Sequence, residues 1–69
     1  METEIIFLVD EDPDGGFNAR ALDHSIFTQA ESMEELKLMA QDAVRCHFEE
    51  AQRPAVIRLR FFRDEVIRA

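Results

Sequence analysis

Apolar and polar positions alternate along this chain with two different periods. Ile5, Ile6, Phe7, Leu8 and Val9 form a short continuous apolar run rich in β-formers, which predicts a strand over residues 4–10. Asp12-Pro13-Asp14-Gly15-Gly16 follows, and its chemistry is that of a turn: proline presets one backbone angle and glycine supplies positive φ. Phe17-Asn18-Ala19-Arg20-Ala21 then alternates, so residues 4–22 read as a β-hairpin, and residues 25–30 read as a third strand. At 100° per residue, Met33, Leu36, Met39, Ala40, Ala43, Val44 and His47 share one helical face. Ala40 and Ala43 are small enough to let that helix lie close to a sheet. Ser32-Met33-Glu34-Glu35 fits a capping box at its start, and Arg53-Pro54 ends it. Period two returns over residues 55–63, where Ile57, Leu59 and Phe61 alternate with Arg58, Arg60 and Phe62.

The element order is β-β-β-α-β, and the expected fold is α+β: one domain over residues 1–69, an antiparallel sheet with one helix on one face. One helix covers one face. The first strand is nonetheless apolar on both sides, and Val56 and Phe62 point away from Ile57, Leu59 and Phe61. That pattern predicts a self-association surface on the helix-free face and a homodimer or larger assembly, with Ile6, Leu8, Arg58, Arg60, Phe62 and Arg63 as the candidate partner or oligomer contacts. Size points the same way. A 69-residue domain buries only about 60% of the surface of its unfolded chain and is marginal alone. Cys46 is the single cysteine, so no intrachain disulfide can help, and a reducing cytoplasm is expected. No apolar run approaches the roughly 20 residues that span a membrane, and the acidic start lacks the basic segment of a signal peptide.

The formal net charge is -7, which repels phosphate backbones and argues against direct nucleic-acid binding. The charge is uneven: residues 1–52 carry -10 and residues 53–69 carry +3. Arg58 and Arg60 project from one face of the last strand. They can grip a partner's carboxylates in bidentate fashion, or discourage unwanted edge pairing.

The candidate chemistry is thin. Asp10-x-Asp12-x-Asp14-Gly15 matches the first half of a calcium loop, but Ala21 stands where a bidentate glutamate should be, and the flanks read as strands. Asp23, His24 and Ser25 are triad residue types in a row; in extended chain, neighbours point to opposite sides and cannot converge. Cys46 and His47 are about 100° apart on the helix, and only His24 could join them, short of a four-ligand zinc site. His47 reads as a packed histidine near the middle of the apolar face, Cys46 as a small hydrophobe at its rim. Gly15-Gly16 leads into a strand and so is no phosphate loop. Glu49 and Glu50 sit at the unfavourable end of the helix dipole, without evident reason. These residues predict no catalytic constellation, no metal and no cofactor.

The hairpin Val9-Asp10-Glu11-Asp12-Pro13-Asp14-Gly15-Gly16-Phe17, the segment Thr28-Gln29-Ala30-Glu31-Ser32-Met33-Glu34-Glu35, and the helix running to Val44-Arg45-Cys46-His47-Phe48 together resemble the N-terminal domain of HicB-type antitoxins, especially the solitary HicB-like small proteins of bacteria and archaea. The second segment is similar to the family's Thr-x-Gly-Asp-Thr-x-Glu-Glu approach to the helix, with Ala30 in place of the glycine. The resemblance covers about residues 4–50. Ala21-Leu22-Asp23-His24-Ser25-Ile26 replaces the family's Pro-Asp-Leu-Pro-Gly-Cys segment, and no counterpart of the second, DNA-binding domain of full-length antitoxins is expected. The resemblance implies a degenerate double-stranded-RNA-binding-type fold, usually dimeric or higher, and a basic toxin-like partner that an acidic chain covers. Promoter binding does not carry over.

Two further readings stand beside it. One is a small accessory subunit of a larger enzyme, docking through the sheet face or the arginine strand. Short chains of this look are sometimes named as the beta subunit of the first component of 2-oxoisovalerate dehydrogenase, yet one domain of this length cannot form a thiamine diphosphate site. The other is an independent enzyme, for which no acid, base or nucleophile constellation is visible.

Overall fold

The computed structural model describes residues 4–62 and 66–69, Phe62 by its backbone alone. Four strands, β1 (Glu4–Glu11), β2 (Phe17–Ala21), β3 (Phe27–Ala30) and β4 (Val56–Phe62), form one sheet in the order β3-β2-β1-β4. An α-helix, α1 (Met33–His47), the one helix longer than a turn among the described residues, joins β3 to β4, with a short 3-10 turn at Glu50–Gln52 on the way. The α+β class and the β-β-β-α-β order are those read from the sequence.

One pairing departs from the all-antiparallel expectation. β1 pairs β2, and β2 pairs β3, antiparallel, but β4 runs parallel to β1, with Ile5 opposite Ile57 and Phe7 opposite Leu59. Chain direction explains it. Two reversals leave β3 running with β1, and α1 carries the chain back across the sheet, so the next strand starts from the end where β1 starts. β1 therefore has a hydrogen-bonded neighbour on each side. That central place accounts for its unbroken apolar run.

Ile5, Phe7 and Val9 of β1 point to the helix side and are buried, with Ala19 and Ala21 of β2, Ala30 of β3, and Leu36, Ala40 and Val44 of α1. The helix packs mainly on β3 and β2. The strands beneath it carry alanines, which let its axis come close; on the β4 side the bulkier Ile57 and Leu59 are only partly buried against the core. Met39, placed by periodicity on the core face, is 43% exposed at its margin. Thr28 is buried too, and its hydroxyl has no hydrogen-bond partner among the described residues; such an orphan typically costs about 1–3 kcal/mol.

The helix ends are set by side-chain chemistry. The Glu35 amide donates to the Ser32 hydroxyl at 3.1 Å, as a capping box requires. The return bond is displaced by one residue, for the Glu35 carboxylate accepts from the amide of Glu31 at 3.2 Å. At the other end α1 stops at His47, with the Phe48 amide donating to the Val44 carbonyl. Glu49 and Glu50 lie beyond it. Glu50 opens the 3-10 turn, with Glu49 before it.

Candidate interaction surface

The helix-free side of the sheet is a mixed surface whose order follows from the strand register. Phe27 lies opposite Arg20, Arg20 opposite Leu8, and Leu8 opposite Arg60, so these four side chains form one row across β3, β2, β1 and β4. Cross-strand neighbours of this kind have Cβ atoms about 4.5–5.5 Å apart. A second row runs Gln29, Asn18, Asp10, and ends at the backbone of Phe62. On the other flank Ile6 lies opposite Arg58, and Glu4 opposite Val56. Leu8, Asp10, Asn18, Arg20 and Phe27 line a shallow depression of about 380 Å³. Phe27 is 60% exposed and Val56 51%, whereas Ile6 and Leu8 are half-buried by their neighbours.

Of the six candidate contact residues, Ile6, Leu8, Arg58 and Arg60 lie together on this face. The Phe62 side chain and Arg63 lie outside the described residues. The face is less uniformly apolar than the sequence pattern suggested. Arg58 forms an ion pair with Glu4 of the neighbouring strand, which leaves Arg60, beside Leu8, nearer the centre. Phe27 and Arg20 were not among the predicted contact residues. Strand parity identifies both: Phe27 alternates with buried Thr28, and Arg20 is flanked by buried Ala19 and Ala21.

The acidic hairpin tip has a structural role. Asp12 accepts from the Asp14 amide at 2.9 Å and from the Asn18 side-chain amide at 3.1 Å, and the Gln29 side chain donates to Asn18 in turn. Its carboxylate is committed to holding the turn. Among the described residues no group of three His, Cys, Asp or Glu side chains is placed to hold a metal ion. The hydrogen bonds from Asp14 and then Asn18 hold the Asp12 carboxyl below its ordinary value of 3.8. A depressed carboxyl pKa adds stability that is present above the unfolded value and is lost as pH falls through the folded one. The Asp14 amide and Asn18 side-chain resonances should therefore titrate together below pH 3.8, and Asp12→Asn should abolish that step in an NMR titration. An unchanged step would assign it to another carboxylate.

His47 is not buried in the core face, contrary to the sequence reading; it is exposed, and so is Cys46. His24, from the β2–β3 connection, meets Phe48 edge-on at 4.8 Å between ring centroids and His47 at 5.6 Å. These aromatic contacts tie the connection to the end of the helix, and they put the imidazole of the Asp23-His24-Ser25 segment in a packing role.

No helix among the described residues is long and apolar enough to cross a membrane. No family model matches the chain, and no solved structure matches it significantly. The chain is similar to a UPF0150 protein of Archaeoglobus fulgidus, 68% identical over 50 residues that cover 72% of this chain and 74% of the relative. It is also similar to a UPF0150 protein of Thermotoga maritima, 45% identical over 69 residues, 97% of each chain.

Proposed function

The chain belongs to the UPF0150 family, and on that premise we propose that it is a non-catalytic protein-binding domain, comparable to a solitary HicB-type antitoxin domain, that acts as an oligomer and docks a partner protein on the helix-free face of its sheet. The carrying observation is the row Phe27, Arg20, Leu8, Arg60. It sets exposed Phe27 beside Arg20, and half-buried Leu8 between Arg20 and Arg60. Aromatic and arginine side chains are the groups that most often dominate protein interfaces. The acidic body, -10 over residues 1–52, favours encounter with a small basic protein of the toxin type. Once such a partner is drawn in, the row supplies the specific contacts.

The test is a pull-down from the native organism with the tagged full chain, beside the variant Arg20→Glu/Phe27→Asp. Both side chains are exposed, so the variant keeps its fold, which circular dichroism checks. The intact chain should recover a small basic protein at fixed stoichiometry, and the variant less than about a tenth as much, as expected when anchor residues are lost. Equal recovery by the two chains would remove the sheet face from the reading. Recovery of a large enzyme in fixed ratio would replace it with an accessory-subunit role.

A further inference from the structure

On the helix side, α1 leaves part of the sheet open. Met33 and Ala40 of the helix and Ile57, Leu59 and Phe61 of β4 line an apolar groove of about 530 Å³, with Lys37 at its rim. Phe61 is 60% exposed there. The groove exists because the helix rests over the alanines of β2 and β3, away from the larger side chains of β4. Beyond β4, Val66 and Ile67 are 94% and 87% exposed. Two aliphatic side chains this bare do not lie in the chain's own groove.

We propose that the groove between α1 and β4 receives Val66 and Ile67 of a second copy, and that two copies exchange these segments reciprocally across a two-fold axis. Each chain carries one groove and one apolar segment, so a single reciprocal exchange satisfies both and closes the assembly without leaving a free end to propagate. Arg68 follows Ile67, and Glu34 and Glu35 follow Met33 in the first turn of α1, so charges of opposite sign stand beside the segment and beside one end of the groove. The exchange also answers the marginal size of the domain, since it enlarges one small core by joining it to another. It rests on the oligomeric part of the proposed function and is independent of the sheet face.

The experiment is light scattering after size exclusion, over a dilution series, on the full chain and two variants. The intact chain should run at twice its single-chain mass of 8.0 kDa. Val66→Asp/Ile67→Asp places charges on exposed residues, and Phe61→Glu places one in the groove. Each should weaken association by about a hundredfold or more, because each would bury an unpaired carboxylate, with the circular dichroism spectrum unchanged. Mixing the two variants should restore a heterodimer in native mass spectrometry, one sound segment meeting one sound groove. A single-chain mass for the intact protein, or a dimer that survives Val66→Asp/Ile67→Asp, would overturn the exchange. Because these variants leave Arg20 and Phe27 intact, recovery of the partner protein reports separately on the sheet face.

Discussion

Phe7→Ala should lower the unfolding free energy by about 3–5 kcal/mol, the range measured when large buried aromatic side chains are truncated. Phe7 is wholly buried on the central strand, opposite Ala21 on one side and Leu59 on the other. Its surroundings cannot close the gap. Ala19, Ala21 and Ala40 are already too small to reorient into it, and Leu36 and Val44 are held by the helix backbone. At roughly 0.05–0.15 kcal/mol per residue, a domain of this length has a total stability of only about 3–10 kcal/mol. The loss therefore removes between about a third and all of the domain's stability. Urea titration followed by far-ultraviolet circular dichroism measures it, with Leu38→Ala as the reference, since Leu38 is 66% exposed and should cost well under about 1 kcal/mol. Equal losses in the two variants would mean that the core does not centre on β1.

The importance of Phe7 was legible in the sequence; its neighbours were not. A run of five apolar residues announces a buried strand, and the alternation of β2 and β4 announces which of their residues face inward. The capping box fixed the start of α1 to the residue, because Ser32 and Glu35 act through local bonds that need no tertiary partner. The direction of β4 is a topological consequence of the crossover and appears in no local pattern. The resting place of α1 is similar: it depends on the sizes of Ala19, Ala21 and Ala30 taken together, on strands whose register had to be known first.

The proposed contact surface divides along the same line. Ile6, Leu8, Arg58 and Arg60 share a face because period two places them there, and the structure keeps them together. Arg20 and Phe27 obey the same parity. Their meaning arises only when the register sets them beside Leu8 and turns separate side chains into a row. The groove was beyond sequence reasoning altogether. Ile57, Leu59 and Phe61 are core-facing by alternation, and nothing short of the helix position shows that the core ends before it covers them. Charge patterning had the same limit in the hairpin. A run of aspartates signals a solvated tip or a cation loop, and only the bonds from Asp14 and Asn18 show that Asp12 serves the turn.

That turn is the site of the second large effect. Gly15 and Gly16 both have positive φ, 101° and 86°. An L-residue in the left-handed region loses about 1–2 kcal/mol at either position. They differ in what surrounds them. A Cβ at Gly15 meets nothing within 4 Å, whereas one at Gly16 would lie 2.6 Å from the carbonyl oxygen of Ala30. That oxygen is backbone at the end of β3, beside Glu31 and the Ser32 cap, and it cannot swing aside as a side chain would. Gly16→Ala should therefore cost about 3 kcal/mol or more, adding a forced backbone shift to the strain, while Gly15→Ala costs about 1–2. Because Gly16 also accepts from the Asp12 amide, the displacement should loosen the hairpin tip and the start of α1 together. Amide exchange at Glu35 and Leu36, whose protons are held by Ser32, should quicken in Gly16→Ala and stay slow in Gly15→Ala. Should the two alanine variants lose equal stability, conformational strain alone would explain both, and the close packing of the turn against β3 would have to be abandoned.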